Sequence, residues 1–349
     1  MLHGRPRIHL CNPLTNAAGG SEWRTVNLYR ALRADADVTA WTNTEPHAHL
    51  ARLMPICRIR PARGMFPRFG TIVFVGSYHF PGRWSVCTWP VRIVIVHNTT
   101  DTSVLRDAVR RLSWRGRRPI EIVYASAALR DQSPFDGVIE PSLIDVDVFR
   151  PMDRPMRPFT VGRLSRDVGE KHHPEDQHVY RALCLSGARI RLMGGTSVAH
   201  RLKSIPGLEI APACAEPPQH FLQSLDCFFY RTSDTFFETF GRVVLEAMAC
   251  GLPVVCSRRG GYTDYVEHGR SGFLFESTAE AMTYLEVLRN DPSLRAQIGA
   301  AARRRARQVV ERGRTIVRDF YLQAGRRSGS ASGWAEPRLS QQVSDNPRV

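Results

Sequence analysis

Glu246 stands in the stretch FETFGRVVLEAMACGLPVV (Phe237 to Val255), which from Gly241 to Cys250 is apolar apart from Arg242 and Glu246 itself. The pattern predicts a helix buried on most faces, ended by Gly251 as a C-cap with Pro253 just beyond. An ionised carboxylate is costly in such surroundings unless it has a partner. Two readings follow. In one, Glu246 forms an i,i+4 pair with Arg242, worth a few tenths of a kcal/mol on an exposed helix. In the other, the helix N-terminus faces a cleft and Glu246 reaches a polar ligand there. Glu238 precedes Glu246 with seven residues between them and falls in the loop ahead of the helix. A carboxylate in such a loop can accept hydrogen bonds from ligand hydroxyls, and one two turns further along can take a pair of hydroxyls. The backbone N–H groups around Phe240 and Gly241, helped by the helix dipole, suit a diphosphate.

These groups need elements to hold them. RIHLCNP near the start reads as a strand, followed by LTNAAGG and a helix from Ser21 to about Ala34. A strand, a glycine-containing loop and a helix open a doubly wound α/β domain. Further buried strands are read at TIVFVGS, VRIVIVHN and IEIVYAS. After GVIEPS, the closely spaced Pro151, Pro155 and Pro158 mark an interdomain linker, since they cannot continue a helix or a central strand. The alternation then restarts with FTVGRLS, a helix near Glu175 to Ser186, ARIRLMGG, LEIAP, a helix near Pro217 to Leu225, CFFYRT, the helix from Gly241, and PVVCS. The chain thus divides into a Rossmann-like domain over 1–150, a second over 151–325 and a disordered tail over 326–349. Ligands of such sheets bind outside the carboxyl ends of the strands.

The 349 residues carry a formal net charge of +15, with lysine only at 171 and 203. Such a balance suits nucleic acid, an anionic membrane surface or acidic small molecules. Arginines cluster over 106–118 and 303–318. In the first cluster Val104, Leu105, Ala108, Val109 and Leu112 recur at helical spacing with Trp114 at the end, which fits either a basic helix lying on anionic lipid or an ordinary core stripe. The eight cysteines show no CxxC spacing and read as small buried thiols. His172, His173 and His178 match no metal-ligand spacing. No apolar run reaches membrane-span length and the start lacks a signal-peptide centre, so the expectation is a cytoplasmic protein, at most at the inner face of the membrane.

Glu238, Glu246, TFG and EAMACGLPVV, with AAGGSEWRTVNLYRAL, VGRLS and GGYTDYVEHGRSGFLF in order over roughly residues 7–290, closely resemble the retaining GT-B glycosyltransferases, family four, also called glycosyl transferases group 1. The resemblance implies two Rossmann-like domains with parallel sheets facing across a cleft. It gives Glu238 the donor sugar's hydroxyls, Glu246 the ribose, and Phe240 and Gly241 the diphosphate. It also implies that Arg163 and Lys171 neutralise the leaving nucleoside diphosphate in place of a metal ion. In the family the lysine follows the arginine by about five residues, whereas here the gap is eight. Gly19 and Gly20 match the family's glycine loop, where the backbone approaches the phosphates. His97, at the end of VRIVIVHN, matches a histidine near the donor sugar, with a structural histidine as the alternative. Asp145 and Asp147 form a DxD at the domain junction and are assigned to structure.

The resulting expectation is a metal-independent retaining hexosyltransferase without cofactor, using a nucleotide-sugar donor and a hydroxyl acceptor, lipid-linked or part of an envelope polysaccharide. The rivals are a phosphorylase or epimerase on the same fold, a nucleic-acid-binding protein and an inactive sugar-nucleotide binder. Lys171 and Lys203 are poor Schiff-base candidates for a pyridoxal-type phosphorylase, and the arginine clusters lack the aromatic interleaving of single-strand binders.

Overall fold

The computed structural model describes residues 5–78, 82–113, 120–152, 158–202 and 205–322. Among the described residues, thirteen strands form two parallel sheets. The first holds β1 (Arg7–Cys11), β2 (Asp37–Thr42), β3 (Ile56–Arg58), β4 (Thr71–Val75), β5 (Arg92–His97), β6 (Ile120–Tyr124) and β7 (Val138–Ile139), in the order β3-β2-β1-β4-β5-β6-β7. The second holds β8 (Thr160–Leu164), β9 (Arg189–Met193), β10 (Leu208–Ala211), β11 (Cys227–Tyr230), β12 (Val254–Ser257) and β13 (Phe273–Phe275), in the order β10-β9-β8-β11-β12-β13. The central strands are continuous Val, Ile and Phe runs because helices cover both faces of a parallel sheet.

The connecting helices are α1 (Gly20–Leu32), α2 (Ala48–Ala51), α3 (Thr102–Ser113), α4 (Ala127–Asp131), α5 (Asp176–Leu185), α6 (Pro218–Gln223), α7 (Arg242–Ala249), α8 (Thr278–Asn290) and α9 (Pro292–Leu322). The 31-residue α9 packs Ala302 and Ala306 into the core beside α7. Its last turns cross back, where Val317 and Tyr321 join Leu10, Val73 and Leu143 in the core of the first sheet. Residues 310–322, read from sequence as part of the second domain, thus pack on the first.

The arginine clusters have structural partners. Leu105 and Ala108 of α3 are buried, with Val109 and Leu112 packed on the same core, so the apolar stripe of this helix is spent inside the protein. Trp114 to Arg118 lie outside the described residues. On α9, Arg303 donates to the carbonyls of Phe149 and Ala249, each at 2.6 Å, Arg305 pairs with Glu267 at 3.2 Å and Arg318 with Asp35 at 3.4 Å. The Asp145 carboxylate accepts from the N–H groups of Asp147 and Val148, which makes it the cap of a turn. Four of the eight cysteines depart from the expectation of buried thiols, Cys57 and Cys184 being half-buried. Cys87 and Cys214 are exposed, the first on a surface 3₁₀ turn and the second at φ 64° in a surface loop. No helix among the described residues is long and apolar enough to cross a membrane. Of the proline-rich linker, residues 153–157 lie outside the described residues, as do Lys203 and the tail.

Candidate functional site

The site is built from the carboxyl ends of strands in both sheets. In the second domain, β11 ends in Tyr230 and the chain loops through Glu238 to α7. Gly241, the N-cap of α7, sits at φ 76° and ψ 48°, a left-handed conformation that costs a residue with a Cβ about 1–2 kcal/mol. Its Cα also lies against Tyr262, so that a Cβ there would stand 2.6 Å from the ring. The loop is pinned from behind, where the Tyr265 hydroxyl donates to the carbonyls of Phe240 at 3.1 Å and Gly241 at 2.7 Å. These contacts leave the α7 N-terminus aimed away from the core, with its amide dipoles available to an anion.

Glu238 is held on one oxygen. Its Oε2 accepts from Lys171 Nζ at 2.5 Å and from the Tyr230 hydroxyl at 2.7 Å, so both bonds fall on the same oxygen. The side chains of Lys171 and Glu238 are 8% and 14% exposed, so the pair sits at the floor of a recess that still meets solvent. Burial alone would raise the Glu238 carboxyl. The Lys171 ammonium and the Tyr230 hydroxyl outweigh it and hold the group below the usual carboxylate range, ionised at neutral pH. Burial lowers Lys171, while its contact with Glu238 opposes that fall. The Lys171 ammonium also lies 4.1 Å from the centre of the Phe236 ring.

Arg163 on β8 is fully buried behind this pair, its guanidinium 4.8 Å from the centre of the Tyr230 ring. It donates to the Arg231 carbonyl at 2.5 Å and lies 3.4 Å from Asp176. Asp176 in turn takes Arg231 through Nε at 2.9 Å and Nη2 at 2.7 Å. Arg163 thus anchors a buried charge network beneath the recess and reaches the Glu238 side through Tyr230. Tyr230, Arg231 and Asp176 escaped the sequence reading. The signal for two of them was the polar end of CFFYRT, which falls at the carboxyl end of an interior strand.

Glu246 lies about one turn into α7, buried, and pairs with Arg242 at 2.7 Å. The i,i+4 pair of the first reading is present, and it lies at the boundary between the domains. Arg242 stacks its guanidinium 4.9 Å from the centre of the Trp23 ring, in the first turn of α1. That contact sets the N-termini of α1 and α7 facing one another across the two domains, with Gly19 and Gly20 on one side and Gly241 on the other. Burial raises the Glu246 carboxyl, and Arg242 partly offsets this. A second contact across the domains joins the Ala127 N–H at the start of α4 to Asp264 at 2.8 Å.

In the first domain, His97 ends β5 with Nδ1 2.9 Å from the Ser77 hydroxyl and its ring edge-on to Tyr124. The next residue, Tyr78, donates to the Ser21 hydroxyl at 3.0 Å, and Ser21 donates to Glu22 at 2.8 Å. His97 and the glycine loop therefore form one wall. At Gly19 a Cβ would overlap the Glu22 carboxylate, whereas Gly20 faces open space. His97 Nε2 is buried without a protein partner among the described residues.

Burial holds the His97 ring down to about 4, against a small opposing pull from Asp101. His172, beneath the recess with Nε2 2.8 Å from the Gly194 carbonyl, is lowered to about 3 by burial and then by Arg163. An unfolded chain protonates histidine near pH 6.5, so as the pH falls the unfolded state takes up protons first. The stability these rings contribute is whole above that value and drains away towards about pH 4 for His97 and about pH 3 for His172. Melting curves between about pH 7.5 and about pH 4.5 should show a steeper loss for the wild type than for a His97→Asn, His172→Asn double variant. Equal losses would show that burial of these rings is not the cause.

Comparison with known proteins fits this arrangement. The model of the family "Glycosyl transferases group 1" matches residues 213–305, which hold the Glu238 loop, α7 and Asp264. The D-inositol 3-phosphate glycosyltransferase of Pseudarthrobacter chlorophenolicus is 45% identical over 74 residues, 21% of this chain and 18% of that enzyme. The matched stretch thus spans under a fifth of the curated relative. Among solved structures, Anabaena HepE in complex with UDP-glucose superposes with a TM-score of 0.69 at 17% identity, covering 90% of this chain and 99% of that one. WaaG, a glycosyltransferase involved in lipopolysaccharide biosynthesis, superposes with a TM-score of 0.67 at 13% identity, covering 91% and 100%. The chain therefore has the GT-B fold, and its segment from 213 to 305 carries the sequence pattern of glycosyl transferases group 1.

Proposed function

We propose that the protein is a retaining, metal-independent glycosyltransferase that moves a hexose from a nucleotide diphosphate to a hydroxyl acceptor in envelope polysaccharide or glycolipid synthesis. The observation that carries the reading is the meeting of Glu238, Lys171 and the α7 N-terminus in one recess opposite the Gly19–Gly20 loop. The α7 amides and Lys171 take the diphosphate, and Arg163 adds positive charge from beneath Tyr230. Fixed cations of this kind absorb the charge that develops as the sugar–phosphate bond breaks, the task a metal performs in other transferases. Glu238 Oε1 holds a sugar hydroxyl. The acceptor attacks on the face from which the phosphate leaves, and that phosphate takes the acceptor's proton. His97, neutral at working pH, offers Nε2 to a hydroxyl of the donor sugar or the acceptor. HepE was solved with UDP-glucose, so a uridine donor is the first to test.

In this reading Glu246 exchanges Arg242 for the two ribose hydroxyls, so domain opening at Trp23–Arg242 accompanies donor entry. The test is nucleoside diphosphate release over a panel of nucleotide sugars, with and without EDTA, together with calorimetric binding. One donor should be turned over at a rate that EDTA leaves unchanged, with the product anomer of the same configuration as the donor. Glu246→Ala should weaken donor binding by roughly 10- to 100-fold, the worth of a hydrogen-bonded charge. A panel without turnover, or an inverted anomer, would overturn the assignment.

A further inference from the structure

We propose that a groove on the first domain, lined by Ile59, Phe66, Trp84 and Val86 with Arg83 and Asn43, binds the hydrocarbon chain of a lipid phosphate acceptor, with the phosphate on Arg83. This rests on the glycosyltransferase reading and names the acceptor class. The groove encloses about 510 Å³, within the roughly 300–1,000 Å³ range of small-molecule sites, and has their usual make-up of apolar walls with few polar groups. Its floor is firm, since Trp84 is buried and packs on Phe66 and Phe74.

Three observations fix the occupant's chemistry. Six of the eleven large apolar side chains exposed among the described residues fall between Met65 and Val91, and two of them, Phe69 at 52% and Trp89 at 59% exposure, stack on each other. Solvent-facing aromatics beside an apolar groove are the mark of a surface that meets hydrocarbon. The same stretch is strongly basic. Between Glu45 and Asp101 the sequence has no Asp or Glu and seven arginines, at 52, 58, 60, 63, 68, 83 and 92. Among the described residues, only Arg58 and Arg92 of these are matched to acids outside the stretch, Glu45 and Glu121. A neutral lipid would gain nothing from this charge, whereas a phosphate at the mouth of the groove would.

The groove is also placed for transfer. Asn43 and Ile59 directly follow β2 and β3, so it opens at the carboxyl ends of the strands, the rim on which His97 ends β5. From β2 to β5 there are three strand spacings, or about 14 Å, a span that the polar part of an acceptor can bridge. The lipid contact thus belongs to this lobe, and the stripes of α3 and α9 stay in the core.

The experiment uses the full chain and calorimetric titration with dodecyl phosphate below its micelle concentration, dodecyl maltoside and inorganic phosphate. Dodecyl phosphate should saturate one site, dodecyl maltoside should bind more weakly, and inorganic phosphate alone should not register. Val86→Trp, which fills the groove from an exposed position, should weaken dodecyl phosphate at least tenfold. Arg83→Gln should weaken dodecyl phosphate severalfold and leave dodecyl maltoside unchanged. Melting curves identify any variant that has lost its fold, and the two substitutions act at separate points. Binding of dodecyl phosphate that fails to saturate, or that both variants leave intact, overturns the proposal. Donor turnover by the wild type is measured separately, so its failure would remove the enzymatic reading while the titrations still judge the groove.

Discussion

Glu238→Gln should lower turnover by roughly 10²- to 10³-fold while donor affinity changes by less than about threefold, the loss seen when one aligned electrostatic group is removed from a reacting centre. The variant keeps the shape of the side chain and its acceptor oxygen for Tyr230. It removes the charge that Lys171 meets at 2.5 Å and that burial makes expensive to isolate. Lys171 then stands in the recess without a counter-ion, and burial drives its ammonium further down. The neutral amide also holds a sugar hydroxyl less tightly than an ionised carboxylate does. In the proposed binding mode the α7 amides still hold the diphosphate when Lys171 loses its partner, so most ground-state binding survives and the deficit appears in kcat. The check is steady-state release of nucleoside diphosphate with calorimetric binding of the donor on the same preparation. Turnover within threefold of the wild type would remove Glu238 from the reacting centre.

Gly241→Val should be the most destabilising single change at the site, at roughly 3–5 kcal/mol. The position holds φ at 76°, where a β-branched residue is a steric outlier. The added Cβ would stand 2.6 Å from a Tyr262 ring that is fully buried and tied through its hydroxyl to Ser257 at 2.8 Å and the Arg259 carbonyl at 3.1 Å. Neither the backbone nor the ring can yield without moving the α7 N-terminus, so donor binding should fall with stability. A drop of roughly 10 °C in melting temperature is expected. Gly20→Ala is the contrast, since the Cβ there meets nothing within 4 Å and stability should hold. If the two variants melted together, the constraint at Gly241 would be illusory.

The parallel core was legible because interior strands of such sheets are unbroken apolar runs, and TIVFV, RIVIVH and CFFY could hardly be anything else. Four strands were not. β2 reads DVTAWT and is half exposed, while β3 and β13 with three residues each and β7 with two lie at sheet edges, where little burial is needed. In the site, Glu238, Lys171 and Gly241 were readable as types at suggestive spacing, and the eight-residue gap from Arg163 to Lys171 is taken up by a loop and a 3₁₀ turn that still bring the ammonium to Glu238. What spacing along the chain could not show was the partners. Arg163 finds Asp176 and the Arg231 carbonyl, and Arg242 finds Trp23 from 219 positions away in the chain, through tertiary packing alone. The stripe of α3 was ambiguous for a related reason, since Leu and Val look the same whether they meet lipid or a core, and here Leu105 and Ala108 meet the core.

The return of α9 couples synthesis to assembly. Val317 and Tyr321, which are made after both sheets, are needed to close a face of the first sheet, and Arg92 waits on β5 for the Phe320 carbonyl. Domains commonly mature in the order they emerge. Here the first lobe stays unfinished until the second sheet and α9 have been made, so the nascent chain carries an open hydrophobic seam until that helix emerges.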